Sequence, residues 1–221
     1  MPTTERKKRE RENRRNTIVE ATERLITERG FESITMDDIA EASEVSKGTL
    51  YLYFRNKSEI ALAMHTVGMQ EMLNRIAGLI ATSGTGLEII QNMGRLFVDF
   101  ARENDHYFKC MVYLESMGFE AFKGLKDTDT FGSLQDSDRA IYNYIRRAIQ
   151  IGIQDGSIDA GFKPDLLPLQ IMMTVRGMMQ FIIYRDAGLF MASGTESAGV
   201  TLESLLDDYA ELLTRALRPS R

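Results

Sequence analysis

Apolar residues recur along most of the chain at the three- and four-residue spacing of an α-helix. The first clear face begins at Ile18, and Gly30 ends that helix as a C-terminal cap. The last is a stripe between residues 201 and 217, formed by Leu202, Leu205, Leu206, Tyr209, Leu212, Leu213 and Ala216. Only 4 Pro interrupt the chain, and its long stretches without breakers favour helices over sheets. The pattern therefore predicts an all-α fold.

Two short helices separated by a tight turn are predicted in the first quarter of the chain. Thr35 stands three residues before Asp38, an acidic variant of the capping box, and opens the first of them. The turn is Ser43-Glu44-Val45, after which Ser46 caps a second helix over residues 47–53. Two short helices joined by a three-residue turn form a helix-turn-helix pattern.

Longer helices follow, and capping pairs mark two of their starts: Asn56 with Glu59, and Thr85 with Glu88. Residues 118–136 are rich in Gly, Asp and Thr, and we expect a loop with short helical pieces there. Pro164 is placed as the first-turn proline of the next-to-last helix. The predicted long helices cover residues 56–80, 85–103, 106–117, 137–154, 164–185 and 201–217.

Composition indicates a globular protein of one or two domains. The 221 residues are 43% hydrophobic and 27% charged, which is ample for a hydrophobic core. A single cysteine, Cys110, excludes an intrachain disulfide and suits a reducing interior. The most apolar stretch, residues 166–184, contains Arg176, and a mid-span arginine costs about 2.5–3.5 kcal/mol in a membrane. With no secretory signal at the N-terminus, we expect a cytoplasmic protein without a membrane span.

The net charge of −5 argues at first against a nucleic-acid binder, because phosphate-binding domains usually carry surplus positive charge. The negative surplus is local, however. Residues 1–60 hold 12 basic and 12 acidic side chains, whereas residues 61–221 hold 15 and 20. Residues 1–15 alone carry seven basic side chains against three acidic ones, either as a solvated tail or as an arm that follows a DNA groove. The acidic average therefore hides a locally basic face.

The second short helix carries side chains that suit contact with DNA, where such a helix enters the major groove. Lys47 adds charge and reaches guanine acceptors. Gly48 costs a helix about 0.5–1 kcal/mol relative to Ala, so it needs a reason such as a close approach to DNA. Leu50 and Phe54 are four residues apart and point into the core. Hydroxyl donors for phosphate oxygens are present at Ser46, Thr49, Tyr51 and Tyr53.

The run GFESITMDDIAEASEVSKGTLYLYFRNKSE, residues 30–59, resembles the N-terminal domain of TetR-family (tetracycline-repressor-type) regulators. The resemblance covers about residues 14–60, and beyond them only the helix layout and the stretch from Gly156 to Asp165 are similar. It implies phosphate contacts by Thr35, Tyr51, Tyr53 and Lys57. It also implies base or backbone contacts by Ser46, Lys47, Gly48 and Thr49. The implied domains are a DNA-binding domain over residues 1–60, with 1–13 as a basic arm, and an inducer-binding and dimerisation domain over residues 61–221.

Two positions depart from the family pattern. Glu44 stands where the family usually has glycine, and a left-handed conformation there costs a non-glycine residue about 1–2 kcal/mol. Leu52 stands at a position that is often polar, which removes a polar DNA contact but allows one with a thymine methyl group.

The second domain has no motif of comparable strength. It holds 11 of the 13 methionines, which adapt to irregular space and occur both in plain helical cores and on ligand-binding surfaces. The family resemblance implies a cavity for a small apolar or amphipathic inducer, which we expect between the helices at 87–117, 137–154 and 164–185. Arg176 and Gln180 either supply polar contacts there or are satisfied by neighbouring helices. The candidate lining residues are Met93, Phe97, Phe100, Met111, Leu114, Met117, Tyr142, Ile145, Met173, Arg176 and Gln180.

A homodimer is predicted through the helices at 164–185 and 201–217, because the last apolar stripe is wide for a monomer. The sequence predicts a ligand-responsive regulator, most simply a repressor that binds a palindromic operator in double-stranded DNA. The alternative is a regulator or activator controlled by a protein partner. No nucleophile–base spacing or phosphate-binding loop indicates an enzyme or a cofactor. His106 and Cys110 are four residues apart, but two ligands are too few for a metal site.

Overall fold

The structure is a computed structural model that describes residues 2–80, 84–116, 123–126, 128–186 and 199–219. Over these residues the regular secondary structure is helical and contains no strand, which confirms the all-α prediction. No described helix is long and apolar enough to cross a membrane. The helices are α1 (Pro2–Arg29), α2 (Met36–Ala42), α3 (Lys47–Tyr53), α4 (Lys57–Ile80), α5 (Gly86–Glu103), α6 (Asp105–Ser116), α7 (Asp129–Asp155), α8 (Leu167–Asp186) and α9 (Leu202–Leu217).

The chain forms two compact units, each made of two segments. The first unit combines Met1–Gly68 with Asn104–Leu134, and the second combines Met69–Glu103 with Gln135–Arg221. The boundary falls inside α4 and again inside α7. The predicted boundary at residue 60 separates a DNA-binding function from a ligand-binding function. The two compact units do not test that division, so it stays a prediction.

The core of the first unit is built from the apolar faces of α1 to α4. Leu50 and Phe54, one turn apart, are 0% and 1% exposed, as their spacing on the second short helix predicts. Cys110 and Leu114 of α6 are buried in the same unit, at 0% and 2% exposure. The other fully buried large side chains of this unit are Ile18, Ile26, Ile34, Ile39, Ile60, Leu62 and Met64.

The first helix is much longer than its apolar face. Periodicity marks its start near Ile18, whereas α1 begins at Pro2. Proline fits the first turn of a helix, and the intervening Arg, Lys and Glu residues are good helix formers. An Arg6–Glu10 ion pair at 3.5 Å bridges one turn of this stretch. The basic N-terminal residues are therefore helical in the structure.

Two later helix boundaries also differ from the prediction. α7 begins at Asp129 instead of near Ser137. Its extra turns are explained by the burial of Leu134, at 7% exposure, and by a hydrogen bond from the Phe131 amide to the Thr128 hydroxyl at 3.1 Å. Pro164 lies in a turn before α8, which starts at Leu167, so the first-turn prediction for this proline was wrong. The proline of the first helical turn is Pro168, whose missing N–H needs no intrahelical partner there.

The second unit has a close helix contact at the start of α5. A Cβ on Gly86 would lie 2.0 Å from the Gly152 amide nitrogen of α7, so only glycine fits. The Gly86 amide donates to the Asp155 carboxylate at 2.8 Å, and the Leu87 amide donates to the Ser157 hydroxyl at 3.1 Å. The last residue of α7 and the turn after it therefore satisfy the first N–H groups of α5.

Candidate nucleic-acid interface

The turn between α2 and α3 is a Schellman-type C-cap with glutamate in the place of glycine. The Glu44 amide donates to the Glu41 carbonyl and the Val45 amide to the Ala40 carbonyl, both at 3.0 Å. Glu44 has φ 53° and is the one described non-glycine residue with positive φ. The left-handed turn is therefore kept despite the sequence departure at this position.

The N-terminus of each short helix is capped as the sequence predicts. The Thr35 hydroxyl accepts a hydrogen bond from the Asp38 amide at 3.2 Å, and the Thr35 amide donates to the Asp38 carboxylate at 2.7 Å. Hydrogen bonds from Thr35 and then from Arg29 lower the pKa of Asp38 from 3.8 to about 2. At α3, the Ser46 hydroxyl accepts from the Thr49 amide at 3.1 Å, and the two hydroxyl oxygens are 2.8 Å apart.

The outer face of α3 carries large apolar side chains in solvent. Leu52 is 75% exposed and Tyr51 is 51% exposed, whereas Leu50 between the helix and the core is fully buried. A Cβ on Gly48 would meet only the Ser46 hydroxyl oxygen, at 3.9 Å. The fold therefore does not require a glycine at position 48. We call the outer face of Lys47, Gly48, Tyr51 and Leu52 the α3 surface.

Lys47 reaches this surface but is paired with an acidic residue of α2. Its ammonium lies 2.6 Å from the Asp37 carboxylate, and both side chains are more than 60% exposed. The hydrogen bond and charge of Asp37 raise the pKa of Lys47. Sequence reasoning missed this partner, since the two residues are ten positions apart and lie on different helices.

The residues predicted to contact DNA differ in how far their side chains are exposed to solvent. Thr35, Ser46, Lys47, Gly48 and Tyr51 are exposed, whereas Thr49, Tyr53 and Lys57 are half-buried. The Lys57 ammonium turns inward, donates to the Glu32 carbonyl at 3.2 Å, and has a pKa lowered by burial. Which of these residues touch DNA stays a prediction.

Arg15 of α1 makes contacts that the sequence did not predict. Arg15 places its guanidinium 4.9 Å from the centroid of the Phe54 ring, at the end of α3, and donates to the Thr130 hydroxyl at 2.7 Å. It therefore joins α1 to the end of α3 and to the start of α7. The basic side chains nearer the N-terminus are exposed at Arg6, Lys7, Arg9, Arg11 and Arg14.

The eleven candidate ligand residues are distributed over both units. Met111 and Leu114 belong to the first unit, and Met117 lies outside the described residues. The other eight belong to the second unit, where Met93, Phe100 and Ile145 are buried, Phe97, Tyr142 and Gln180 are half-buried, and Arg176 and Met173 are exposed. Their shared role in a ligand site stays a prediction.

Two polar members of this set contact neighbouring elements. The Tyr142 hydroxyl donates to the Asp165 carbonyl at 3.1 Å. Burial raises the pKa of Asp138, and the charge of Arg176 partly opposes that rise. The charge of Arg176 is therefore near enough to Asp138 of α7 to act on its ionisation, which favours the alternative that a neighbouring helix satisfies Arg176.

Solvent-exposed apolar side chains occur on α8, just before α8, and on α9. Met173 is 72% exposed and Leu169, one turn earlier, is 44% exposed. Leu166 and Leu212 are 50% and 60% exposed. These four side chains lie in the two segments predicted to form a dimer interface.

His106 and Cys110 have protein partners in the first unit. The Nε2 atom of His106 lies 3.0 Å from the Glu23 carboxylate, and the Cys110 sulfur lies 3.8 Å from that of Met64. Among the described residues, no group of three or more His, Cys, Asp or Glu is placed to hold a metal ion.

Comparison with known proteins places the helix-turn-helix in a named family. The family model described as "Bacterial regulatory proteins, tetR family" matches residues 18–64. The uncharacterised HTH-type transcriptional regulator YhgD of Bacillus subtilis is 28% identical over 149 residues, 66% of this chain and 72% of that protein. The HTH-type transcriptional repressor KstR2 of Mycobacterium tuberculosis is 22% identical over 155 residues, 70% of this chain and 72% of that protein.

The similarity in fold extends over nearly the whole chain. The transcriptional regulator FadR of Bacillus subtilis, solved in complex with stearoyl-CoA, has a TM-score of 0.65 to this structure. The two are 20% identical, and the alignment covers 91% of this chain and 98% of that one.

Proposed function

Because the chain belongs to the TetR family of bacterial transcriptional regulators, we propose that it is a repressor that binds a palindromic operator as a homodimer. A small apolar or amphipathic ligand releases the protein from DNA. It does so by favouring a dimer in which the distance between the two α3 helices no longer matches the operator. The operator-bound dimer presents its two α3 surfaces about 34–36 Å apart, one turn of DNA. The protein then acts in the cytoplasm, where its operator lies.

The observation that carries the DNA-binding part is Gly48. Glycine within a helix costs about 0.5–1 kcal/mol, yet a Cβ at position 48 would meet no packed neighbour. Since packing does not require a glycine at position 48, we explain it by close approach of α3 to the duplex. The neighbouring Leu52, 75% exposed, supplies an apolar contact for a thymine methyl group in the same groove.

Replacing this glycine separates function from stability. We expect Gly48→Ala to raise the unfolding temperature and to weaken operator binding. Gly78→Ala is the matched control, because Gly78 also lies in a helix with nothing within 4 Å of its would-be Cβ. The control should stabilise the protein similarly and leave operator affinity unchanged. The proposal for α3 fails if Gly48→Ala binds the operator as tightly as Gly78→Ala does.

Dimerisation is proposed through α8 and α9. Leu169 and Met173 lie four residues apart on α8, so they present one exposed apolar face, and Leu212 adds to the exposed apolar area on α9. Burial of this face against a second copy removes it from water, the main source of stability in a homodimer. Light scattering at micromolar concentration should give twice the chain mass, and Met173→Lys should give the monomer mass. A monomeric wild-type protein would refute the interface.

The ligand is proposed to be a molecule with a long apolar portion. The support is the set of buried side chains Met93, Phe100 and Ile145 in the second unit, together with the adaptability of methionine. FadR of Bacillus subtilis, which shares the fold, was solved with stearoyl-CoA. Stearoyl-CoA is therefore the first probe, and it should release the protein from its operator in an anisotropy assay. An apolar fluorescent probe that finds no displaceable site would oppose a ligand cavity and favour control by a protein partner.

A further inference from the structure

Lys57, a predicted phosphate contact, directs its ammonium at two aromatic rings. Its Nζ atom lies 4.6 Å from the centroid of the Phe31 ring and 5.6 Å from that of Tyr113. The same Nζ donates to the Glu32 carbonyl at 3.2 Å. The two rings meet edge to face, with centroids 4.5 Å apart and an interplanar angle of 62°. We call the two rings and this carbonyl the lysine cage.

The rings of the lysine cage are fixed by the core of the first unit. Phe31 is 4% exposed and follows Gly30, whose φ of +76° turns the chain at the end of α1. Tyr113 lies on α6 beside Leu114 and three residues after Cys110, and those two side chains anchor the helix at 2% and 0% exposure. The lysine stem, with four rotatable bonds, is therefore the adaptable part of the arrangement.

The cage and a DNA phosphate are alternative partners for one ammonium. Burial lowers the pKa of Lys57, so this ammonium has lost part of its hydration and depends on the rings and the carbonyl. A phosphate oxygen is a stronger acceptor because it carries charge. Duplex phosphates stay outside the protein surface, so Nζ must turn away from the buried Phe31 ring to reach one.

We propose that Phe31 and Tyr113 are positioning residues that hold Lys57 away from DNA, so that operator binding has to draw its ammonium out of the lysine cage. This inference rests on the proposed function, because a contact between Lys57 and a DNA phosphate requires that the protein binds DNA. Tyr113, on α6, thereby lowers operator affinity without touching DNA. Weakening the cage therefore tightens operator binding.

The experiment measures anisotropy of a labelled duplex selected from random DNA by the wild-type protein. Tyr113→Leu removes the ring face but keeps an apolar side chain, and it should tighten binding about fivefold. Tyr113→Phe keeps the ring and is the matched control, with wild-type affinity expected. In a Lys57→Met background, Tyr113→Leu should have no effect, since the ammonium on which it acts is gone.

Two results would overturn the inference. One is weaker or unchanged binding by Tyr113→Leu, and the other is an equal gain in the Lys57→Met background, which would reveal a structural role independent of the ammonium. A second readout needs no DNA: ring currents should shift the Lys57 ε-methylene protons upfield in the wild type and in Tyr113→Phe, and less in Tyr113→Leu. Ordinary shifts in the wild type refute the cage itself, whereas shifted protons without duplex binding refute the proposed function and the role given to Lys57 on DNA.

Discussion

Glu44 offers the sharpest test of how the helix-turn-helix is built. Its φ of 53° places an L-residue with a side chain in the left-handed region, at the C′ position of the cap between α2 and α3. Replacing it with glycine removes the clash of Cβ with the backbone and leaves the two cap hydrogen bonds in place. The perturbation therefore changes conformational strain while keeping the observed turn.

The expected gain follows from two opposing contributions. The left-handed conformation costs a non-glycine residue about 1–2 kcal/mol, and Glu44→Gly recovers that cost. Glycine also makes the unfolded chain more flexible, which costs about 0.5–1 kcal/mol. The net stabilisation is about 0.5–1 kcal/mol, or a rise of about 1–4 °C in unfolding temperature for a chain of this length.

Thermal unfolding followed by circular dichroism measures this shift. Glu44→Ala is the control, because it removes the charge but keeps Cβ and therefore keeps the strain. Glu44→Asn should fall between the two, since asparagine tolerates the left-handed region better than most residues. Equal stabilisation by Glu44→Ala and Glu44→Gly would show that charge, and not backbone conformation, explains the effect. A lower unfolding temperature for Glu44→Gly would show that the left-handed conformation at residue 44 is not strained.

Three further predictions concern packing and ionisation. Gly86→Ala should destabilise the protein by about 1–3 kcal/mol in urea unfolding, because its Cβ would lie 2.0 Å from the Gly152 nitrogen, whereas Gly78→Ala, in open space, should not. The pKa of Asp38 is lowered from 3.8 to about 2, so its carboxylate stabilises the fold above pH 3.8 and this contribution is lost as pH falls through 2; Asp38→Asn should lack that part of the acid dependence. Burial raises the pKa of Cys110 to about 12, so a thiol reagent at pH 8 should label it only upon unfolding, and rapid labelling of the native protein would contradict its burial.

The helix-turn-helix could be predicted from sequence because its signals are local. Thr35 with Asp38, and Ser46 with Thr49, act within four residues, and the structure contains both caps. The start of α7 could not be predicted in the same way. Its first turns are stabilised by the burial of Leu134, which depends on packing and not on the polar, Gly- and Asp-rich local sequence.

The candidate site shows the same limit at the level of side chains. The spacing on α3 predicts that Leu50 is buried, and it is. The partner of Lys57 could not be found this way, because Tyr113 is 56 positions away and meets the ammonium only through the tertiary fold. The pairing of Lys47 with Asp37 was missed for the same reason. Periodicity identifies which face of a helix is exposed, but it does not identify the groups that meet there.

We propose above all that the α3 surface binds a specific duplex. It is tested most directly by selecting duplexes from random DNA with the wild-type protein and comparing the affinities of Lys47→Ala and Lys163→Ala for the selected sequence at several salt concentrations. Lys163 is an exposed lysine of the second unit and serves as the control. We predict a palindromic sequence, binding that falls steeply with salt, and a loss of about tenfold for Lys47→Ala alone. Equal affinities for the two variants, or no enriched sequence, would show that the α3 surface does not bind a specific duplex.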